Sequence, residues 1–233
     1  MKYLNTNSLF QTIDNVSDAL MFGFAIDRDE KFKIADFVIS RQGEPYAYAD
    51  TFAPTEYDLR QDLILYTGEK IKSRVGKCHM IGEEACRLLR KLDLQTDKIK
   101  RALERTDFGL RKQIDKVYEN SRYEYGMYCC KSCSCGLWLN LSSGGLNNDT
   151  ELLISGLNYL KRHRDNSGRW TGFPYYYILY VLNEIENDIA IDEMRFCAKS
   201  IERRLKKKRI EENKYEMRRN YICEQLLEKV NRI

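Results

Sequence analysis

The sequence predicts an all-α fold, a single domain of antiparallel helical hairpins. Three observations lead to this prediction. Apolar residues recur at helical spacing along most of the 233 residues. The chain has only 3 prolines and 13 glycines, too few for the many turns of a β-sandwich or barrel. No segment alternates convincingly between apolar and polar residues, as a half-buried strand would.

Each helix is predicted from its own apolar stripe and from the residues that can cap it. Ser8 is a good N-cap for a first helix, residues 31–39 form a second, and Thr55 can cap a third that continues to Tyr66. The remaining helices are marked, in chain order, by stripes or caps that begin at Ile81, Thr96, Leu110, Met127, Leu153, Tyr175, Met194 and Ile222. The helix at 127–141 is apolar nearly all round, which is typical of an enclosed helix.

Composition and charge predict one domain over residues 1–233, with a basic helical segment at 190–233. Residues 195–233 hold 13 Lys and Arg against 6 Asp and Glu. The longest apolar run, 173–182, is about half as long as a membrane-spanning helix. No secretory signal is visible at the N-terminus, so we expect a cytoplasmic protein with no membrane partner. In a reducing compartment the eight cysteines are expected to be thiols or metal ligands.

Three loops with similar sequences predict a helical repeat. They are Ser73-Arg74-Val75, Ser121-Arg122-Tyr123 and Ser167-Gly168-Arg169-Trp170, with their serines 48 and 46 residues apart. Each loop follows one predicted helix and precedes another, so the repeat consists of an outer helix, a loop and an inner helix. Chance is the alternative, because Ser-Arg pairs are common.

The third loop and its flanking residues resemble one hairpin of the α/α-toroid proteins, which include protein prenyltransferases, terpene cyclases and lanthipeptide cyclases. The likeness covers residues 157–182 and rests on Leu157, Tyr159, Leu160, the run Arg164-Asp165-Asn166-Ser167-Gly168-Arg169-Trp170, Phe173, Pro174, Tyr177, Leu179 and Leu182. In that group the inner helices ring a central cavity. The resemblance implies an arc or an incomplete α/α-toroid. The aspartate-rich metal motifs of terpene enzymes are not found, so it implies a fold and not an activity.

The cysteines suggest a zinc site. Cys129 and Cys133 are four residues apart, so on a helix they share a face and could hold one ion. Cys78 and His79, at the start of an earlier inner helix, are the candidates for the remaining ligands. A Cys-His dipeptide with a distant Cys is similar to the zinc ligands of lanthipeptide cyclases, with the order reversed. The alternative is that small thiols fill space in a packed helix, because the chain does not have the two Cys-x-x-Cys knuckles that pair in structural zinc sites.

A polar stripe on the helix after residue 74 supplies the catalytic candidates. His79 and Glu83 lie on this stripe beside Arg87 and Arg90, where they could act as acid or base. The alternative is a solvent-facing side with ion pairs.

Aromatic side chains supply the ligand-binding candidates: Tyr176, Tyr177, Tyr180 and Trp138 could line a pocket. The alternative is core packing.

These observations favour a helical-repeat protein that binds a small molecule or peptide on the concave face of its inner helices. A toroid-type metalloenzyme with a zinc ion bound by Cys and His is the first alternative. A nucleic-acid-associated protein is the second, through the basic run from Arg203 to Arg209. We rank it last, because no recognisable reading module accompanies this run, which also fits a solvated helix end.

Overall fold

A computed structural model describes residues 2–71, 73–120, 123–207 and 213–232. Over these ranges the chain is all-α, and its one sheet consists of two strands of two residues each. The helices and strands are α1 (Leu9–Met21), α2 (Arg28–Ser40), α3 (Glu56–Arg60), β1 (Leu63–Ile64), β2 (Lys70–Ile71), α4 (Arg74–Lys91), α5 (Asp97–Glu119), α6 (Lys131–Ser142), α7 (Gly145–Asn148), α8 (Thr150–Lys161), α9 (Tyr175–Glu184), α10 (Asp188–Lys206) and α11 (Lys214–Asn231). The prediction of an all-α fold is therefore confirmed.

The chain divides into two compact units that alternate along the sequence. Unit 1 comprises Met1–Leu63, Ile71–Arg122 and Ser143–Asp149, and unit 2 comprises Ile64–Lys70, Tyr123–Ser142 and Thr150–Ile233. The prediction of a single domain over 1–233 stays a prediction.

Unit 1 is organised around α4. Helix α1 packs against α4, α4 packs against α5, and α2 contacts both α4 and α5. The predicted caps are confirmed, because the side chains of Ser8, Thr55 and Thr96 accept hydrogen bonds from the first turns of α1, α3 and α5. Helix α4 is largely buried, whereas α5 buries only one stripe along its length.

Unit 2 is organised around α6 and α9. Helix α6 packs against α8 and α9, α9 packs against α10 and α11, and α10 also contacts α8 and α11. Trp170 and Pro174 lie in the loop that joins α8 to α9, and Pro174 is the N-cap residue of α9. The Trp170 ring packs edge-on against Phe196 of α10, and its indole N–H donates to Glu193 at 2.7 Å. These contacts anchor the loop on α10.

The predicted helices differ from the observed ones in three places. The separate helices expected at Thr96 and at Leu110 form the single helix α5. The helix expected to run from Thr55 to Tyr66 ends at Arg60, where Gln61 adopts an extended conformation. The Lys77 ammonium donates to the carbonyl oxygens of Leu59 and Gln61, so these groups have a partner without a further helical turn. The helix expected from Met127 begins at Lys131 instead, for reasons given below.

The basic segment forms α10 and α11, which pack against each other. Met194 and Ile201 of α10 are buried, as the apolar stripe predicts, while Lys199 and Arg203 are exposed. Lys208 and Arg209, at the end of the predicted basic run, lie outside the described residues. In the described part of the chain, no helix combines the length and the apolar character that crossing a membrane requires.

Candidate functional site

Three of the cysteines come together in unit 2, where residues 126–130 meet the start of α6. We call Cys129, Cys130 and Cys133 the thiol cluster. The Sγ atoms of Cys130 and Cys133 are 3.4 Å apart, and those of Cys129 and Cys133 lie within 4.8 Å of each other. The backbone N–H of Cys133 donates to the Cys130 sulfur at 3.4 Å. Three soft donor atoms therefore occupy one small volume, which is the chemistry that thiophilic metals and thiol exchange require.

Close packing of two glycines and a tryptophan sets the position of the thiol cluster. The indole N–H of Trp138, in α6, donates to the carbonyl oxygen of Gly126 at 2.8 Å. Gly126 has a φ of +92°, and a Cβ added there would overlap the backbone of Gly156 in α8. A Cβ on Gly156 would in turn overlap the Trp138 ring. The chain is therefore not helical at Gly126, and α6 begins at Lys131.

Lys131, which follows Cys130 in the chain, contacts the loop between α8 and α9. Its ammonium donates to the carbonyl oxygen of Thr171 at 2.6 Å and lies 4.9 Å from the centre of the Phe173 ring. Both partners belong to the loop between α8 and α9. Phe173, one of the residues that carry the toroid-like likeness, thus contacts the residue that follows Cys130.

The three thiols differ in exposure and acidity. Cys130 is exposed, Cys129 is half-buried and Cys133 is 1% exposed. Hydrogen bonds from Cys129 and Cys133 hold the pKa of the Cys130 thiol well below its ordinary value. The pKa of the Cys133 thiol is raised by the hydrogen bonds of Cys133 to Cys129 and Cys130 and by burial. One exposed thiol with a lowered pKa therefore faces one buried thiol with a raised pKa.

Cys135 lies outside the cluster although it is two residues away. Its thiol donates to the carbonyl oxygen of Lys131 at 3.0 Å, and the side chain is fully buried. Burial raises the pKa of Cys135 well above its ordinary value. The sequence left two roles open for the cysteines, metal ligand or space-filling thiol, and Cys135 fits the space-filling role.

The sequence prediction paired Cys129 with Cys133 for the wrong reason. It placed both on one helix, whereas Cys129 precedes α6 and approaches Cys133 because the chain turns at residues 126–130. On a continuous helix Cys130 would lie about 100° round from Cys129, so the same assumption left Cys130 out of the predicted site. The available signal was the spacing Cys130-Lys131-Ser132-Cys133 at the start of a helix.

The other predicted ligands and the catalytic candidates lie in α4 of unit 1. His79 is 5% exposed and its ring lies 3.7 Å, centre to centre, from the ring of Tyr48. Cys78 is half-buried, and desolvation raises the pKa of its thiol. Glu83 and Arg87 are fully buried, so a solvent-facing stripe is the wrong description of these side chains and of His79. Metal binding by Cys78 and His79, and catalysis by His79 and Glu83, stay predictions.

The predicted ligand-binding aromatics lie in the interior of unit 2. Tyr177, Tyr180 and Trp138 are 0% exposed. Tyr176 is half-buried, and its hydroxyl accepts a hydrogen bond from Arg204 at 2.8 Å. This burial fits the core-packing alternative, and a ligand pocket at these four residues stays a prediction.

Comparison of the chain with models of known protein families, with curated proteins and with solved structures finds no match.

Proposed function

We propose that this protein binds a thiophilic divalent metal ion, zinc in the first instance, with Cys129 and Cys133 as ligands. The observation that carries the proposal is the convergence of three thiols at the start of α6. Zinc binds cysteine as the thiolate at a Zn–S distance of about 2.3 Å, and a tetrahedral site therefore places two sulfurs about 3.8 Å apart. The Sγ atoms of Cys129 and Cys133 already lie within 4.8 Å of each other, so small side-chain rotations suffice.

The cluster also offers access and a third donor. Cys130 is exposed, so an ion can reach the cluster from solvent. His79 and Cys78 stay the ligands predicted from the sequence for the remaining positions of a four-coordinate site, and they are tested separately below. Cys130 is the third thiol available if one of them is not used.

Metal binding is tested on reduced, tag-free protein by competition with a chromogenic zinc chelator and by substitution with Co²⁺. We expect one equivalent of zinc, and a thiolate-to-cobalt charge-transfer band in the near ultraviolet. Cys129→Ser and Cys133→Ser should each weaken zinc binding by about 10- to 100-fold or more. Cys223→Ser is the matched control, because Cys223 is a buried cysteine of unit 2 in α11 and lies outside the cluster.

Two further variants test the ligands taken from the sequence. His79→Ala and Cys78→Ser should each weaken zinc binding if the residue is a ligand, and should leave it unchanged if the site is completed by Cys130 or water. Folded wild-type protein without stoichiometric zinc, or zinc binding that survives both Cys129→Ser and Cys133→Ser, would overturn the proposal.

A further inference from the structure

Cys130 and Cys133 have the geometry of a dithiol that can close to a disulfide. Two residues separate them, and their Sγ atoms are 3.4 Å apart, against about 2.05 Å in a disulfide. The Cys133 N–H already points at the Cys130 sulfur, so the backbone is folded for the short loop that the bond would close.

The two thiols are also arranged asymmetrically with respect to solvent. Cys130 is exposed and can meet a soluble partner, whereas Cys133 is 1% exposed and can react only from within the protein. Disulfide exchange needs one accessible thiol, which forms a mixed disulfide with the partner, and a second thiol, which then resolves that mixed disulfide. Cys135 is bonded to the Lys131 carbonyl and fully buried, which leaves Cys133 as the resolving partner.

We propose that Cys130 and Cys133 form a redox-active dithiol, which exchanges with a low-molecular-weight disulfide such as oxidised glutathione. The Cys130 thiolate attacks one sulfur of that disulfide and expels the first small thiolate. The Cys133 thiol then loses its proton and attacks the Cys130 sulfur, which expels the second. The protein loses two electrons and two protons, and the small disulfide becomes two thiols.

The consequence for the metal rests on the proposed function. A sulfur in a disulfide no longer carries the thiolate charge that zinc binds, so oxidation removes Cys133 as a ligand. Closing the Cys130–Cys133 bond should therefore release the ion, and reduction should restore the site.

The test treats metal-free protein with oxidised glutathione, blocks residual thiols with an alkylating reagent and maps the disulfide by mass spectrometry. Trypsin cleaves after Lys131, so the peptide with Cys129 and Cys130 stays joined to the peptide with Cys133 and Cys135 only when a disulfide connects them, and the serine variants identify which cysteines form it. We expect this linked species in the wild type and in Cys129→Ser and Cys135→Ser. It should disappear in Cys130→Ser, whose exposed position makes unfolding an inadequate explanation for the loss. A disulfide that involves Cys129 or Cys135 instead, or none at all, overturns the proposal.

A second arm separates the two proposals. Zinc-loaded protein is oxidised in the same way, and the released zinc is measured with a chromogenic indicator. A linked peptide in protein that never binds zinc refutes the metal proposal and leaves the dithiol standing. Stoichiometric zinc without a linked peptide refutes the dithiol and leaves the metal site standing.

Discussion

Replacing Gly126 by alanine should destabilise unit 2 more than any comparable glycine substitution there. Gly126 has a φ of +92°, and the new methyl group would overlap the backbone of Gly156, which cannot move without shifting α8. The left-handed backbone costs about 1–2 kcal/mol for a residue with a side chain. Overpacking a closed contact adds about 1–3 kcal/mol. Together they predict a loss of about 2–5 kcal/mol in the free energy of unfolding.

Gly172→Ala is the matched control within unit 2. Gly172 has a φ of +78°, but the nearest atom to its new Cβ is the terminal nitrogen of Lys131, at 3.0 Å, which belongs to a flexible side chain and can shift without moving a helix. This variant should lose mainly the backbone contribution of about 1–2 kcal/mol, with a smaller loss from the displaced contact of Lys131 with Thr171. The difference between the two variants therefore isolates the contact between Gly126 and α8.

Tryptophan fluorescence makes the measurement specific to unit 2. Trp138 and Trp170 are the two tryptophans of the chain, and both belong to this unit. Urea titrations of wild type and both variants give the free energies of unfolding by linear extrapolation. If Gly126→Ala is no more destabilising than Gly172→Ala, the close approach of Gly126 to α8 does not hold the loop of the thiol cluster, and the explanation for the start of α6 is refuted.

Three further predictions follow from the anchors of the two units. Glu193→Gln should lower the stability of unit 2 by about 1–3 kcal/mol in the same fluorescence assay, because the buried carboxylate that accepts from both the Arg164 guanidinium and the Trp170 indole loses its charge. An unchanged midpoint would refute this prediction. The hydrogen bond from Arg204 lowers the pKa of Glu216, so this carboxylate stabilises the fold above about pH 4.3 and loses its effect as the pH falls through the lower folded value. Glu216→Gln should therefore flatten the acid side of a stability–pH curve, and an unaltered curve would contradict the assignment. Ser8→Ala removes the N-cap of α1 and should lower the free energy of unfolding by about 1–2 kcal/mol. This loss is measured by circular dichroism, because both tryptophans belong to unit 2. A loss near zero would show that the cap is dispensable.

The fold could be predicted to the extent that local sequence determines it. Apolar stripes and caps such as Ser8 and Thr96 located the helices, since both signals act within a few residues. The end of α3 at Arg60 could not be predicted, because it depends on Lys77, a residue 17 positions further along the chain. The curvature of the hairpins into an arc or toroid stays a prediction.

The candidate site, like the fold, could be predicted only where local sequence determines it. Cysteine content and spacing directed attention to Cys129 and Cys133, and both belong to the observed cluster. The role of Cys130 depends on where α6 begins, and the segment before α6 is held at Gly126 by its contact with Gly156, a residue on another helix. The helical periodicity of residues 127–133 contains no information about this contact. A continuous helix through these residues therefore places the Cys130 thiol on a different face from the thiols of Cys129 and Cys133.

The starting point of one helix therefore decides what these cysteines can do. Had α6 begun at Met127, Cys130 would point about 100° away from Cys129 around the helix, and its sulfur would be separated from that of Cys133. Because α6 begins at Lys131, Cys130 precedes the helix and its sulfur lies over the first turn, against the Cys133 N–H. The packing of Gly126 against α8 thus links an ordinary core contact to the chemistry of the cluster. The Gly126→Ala variant should weaken zinc binding and slow formation of the Cys130–Cys133 disulfide together, whereas Gly172→Ala should change neither by a comparable factor. Unchanged chemistry in a Gly126→Ala protein that is measurably destabilised would show that the cluster does not depend on this contact.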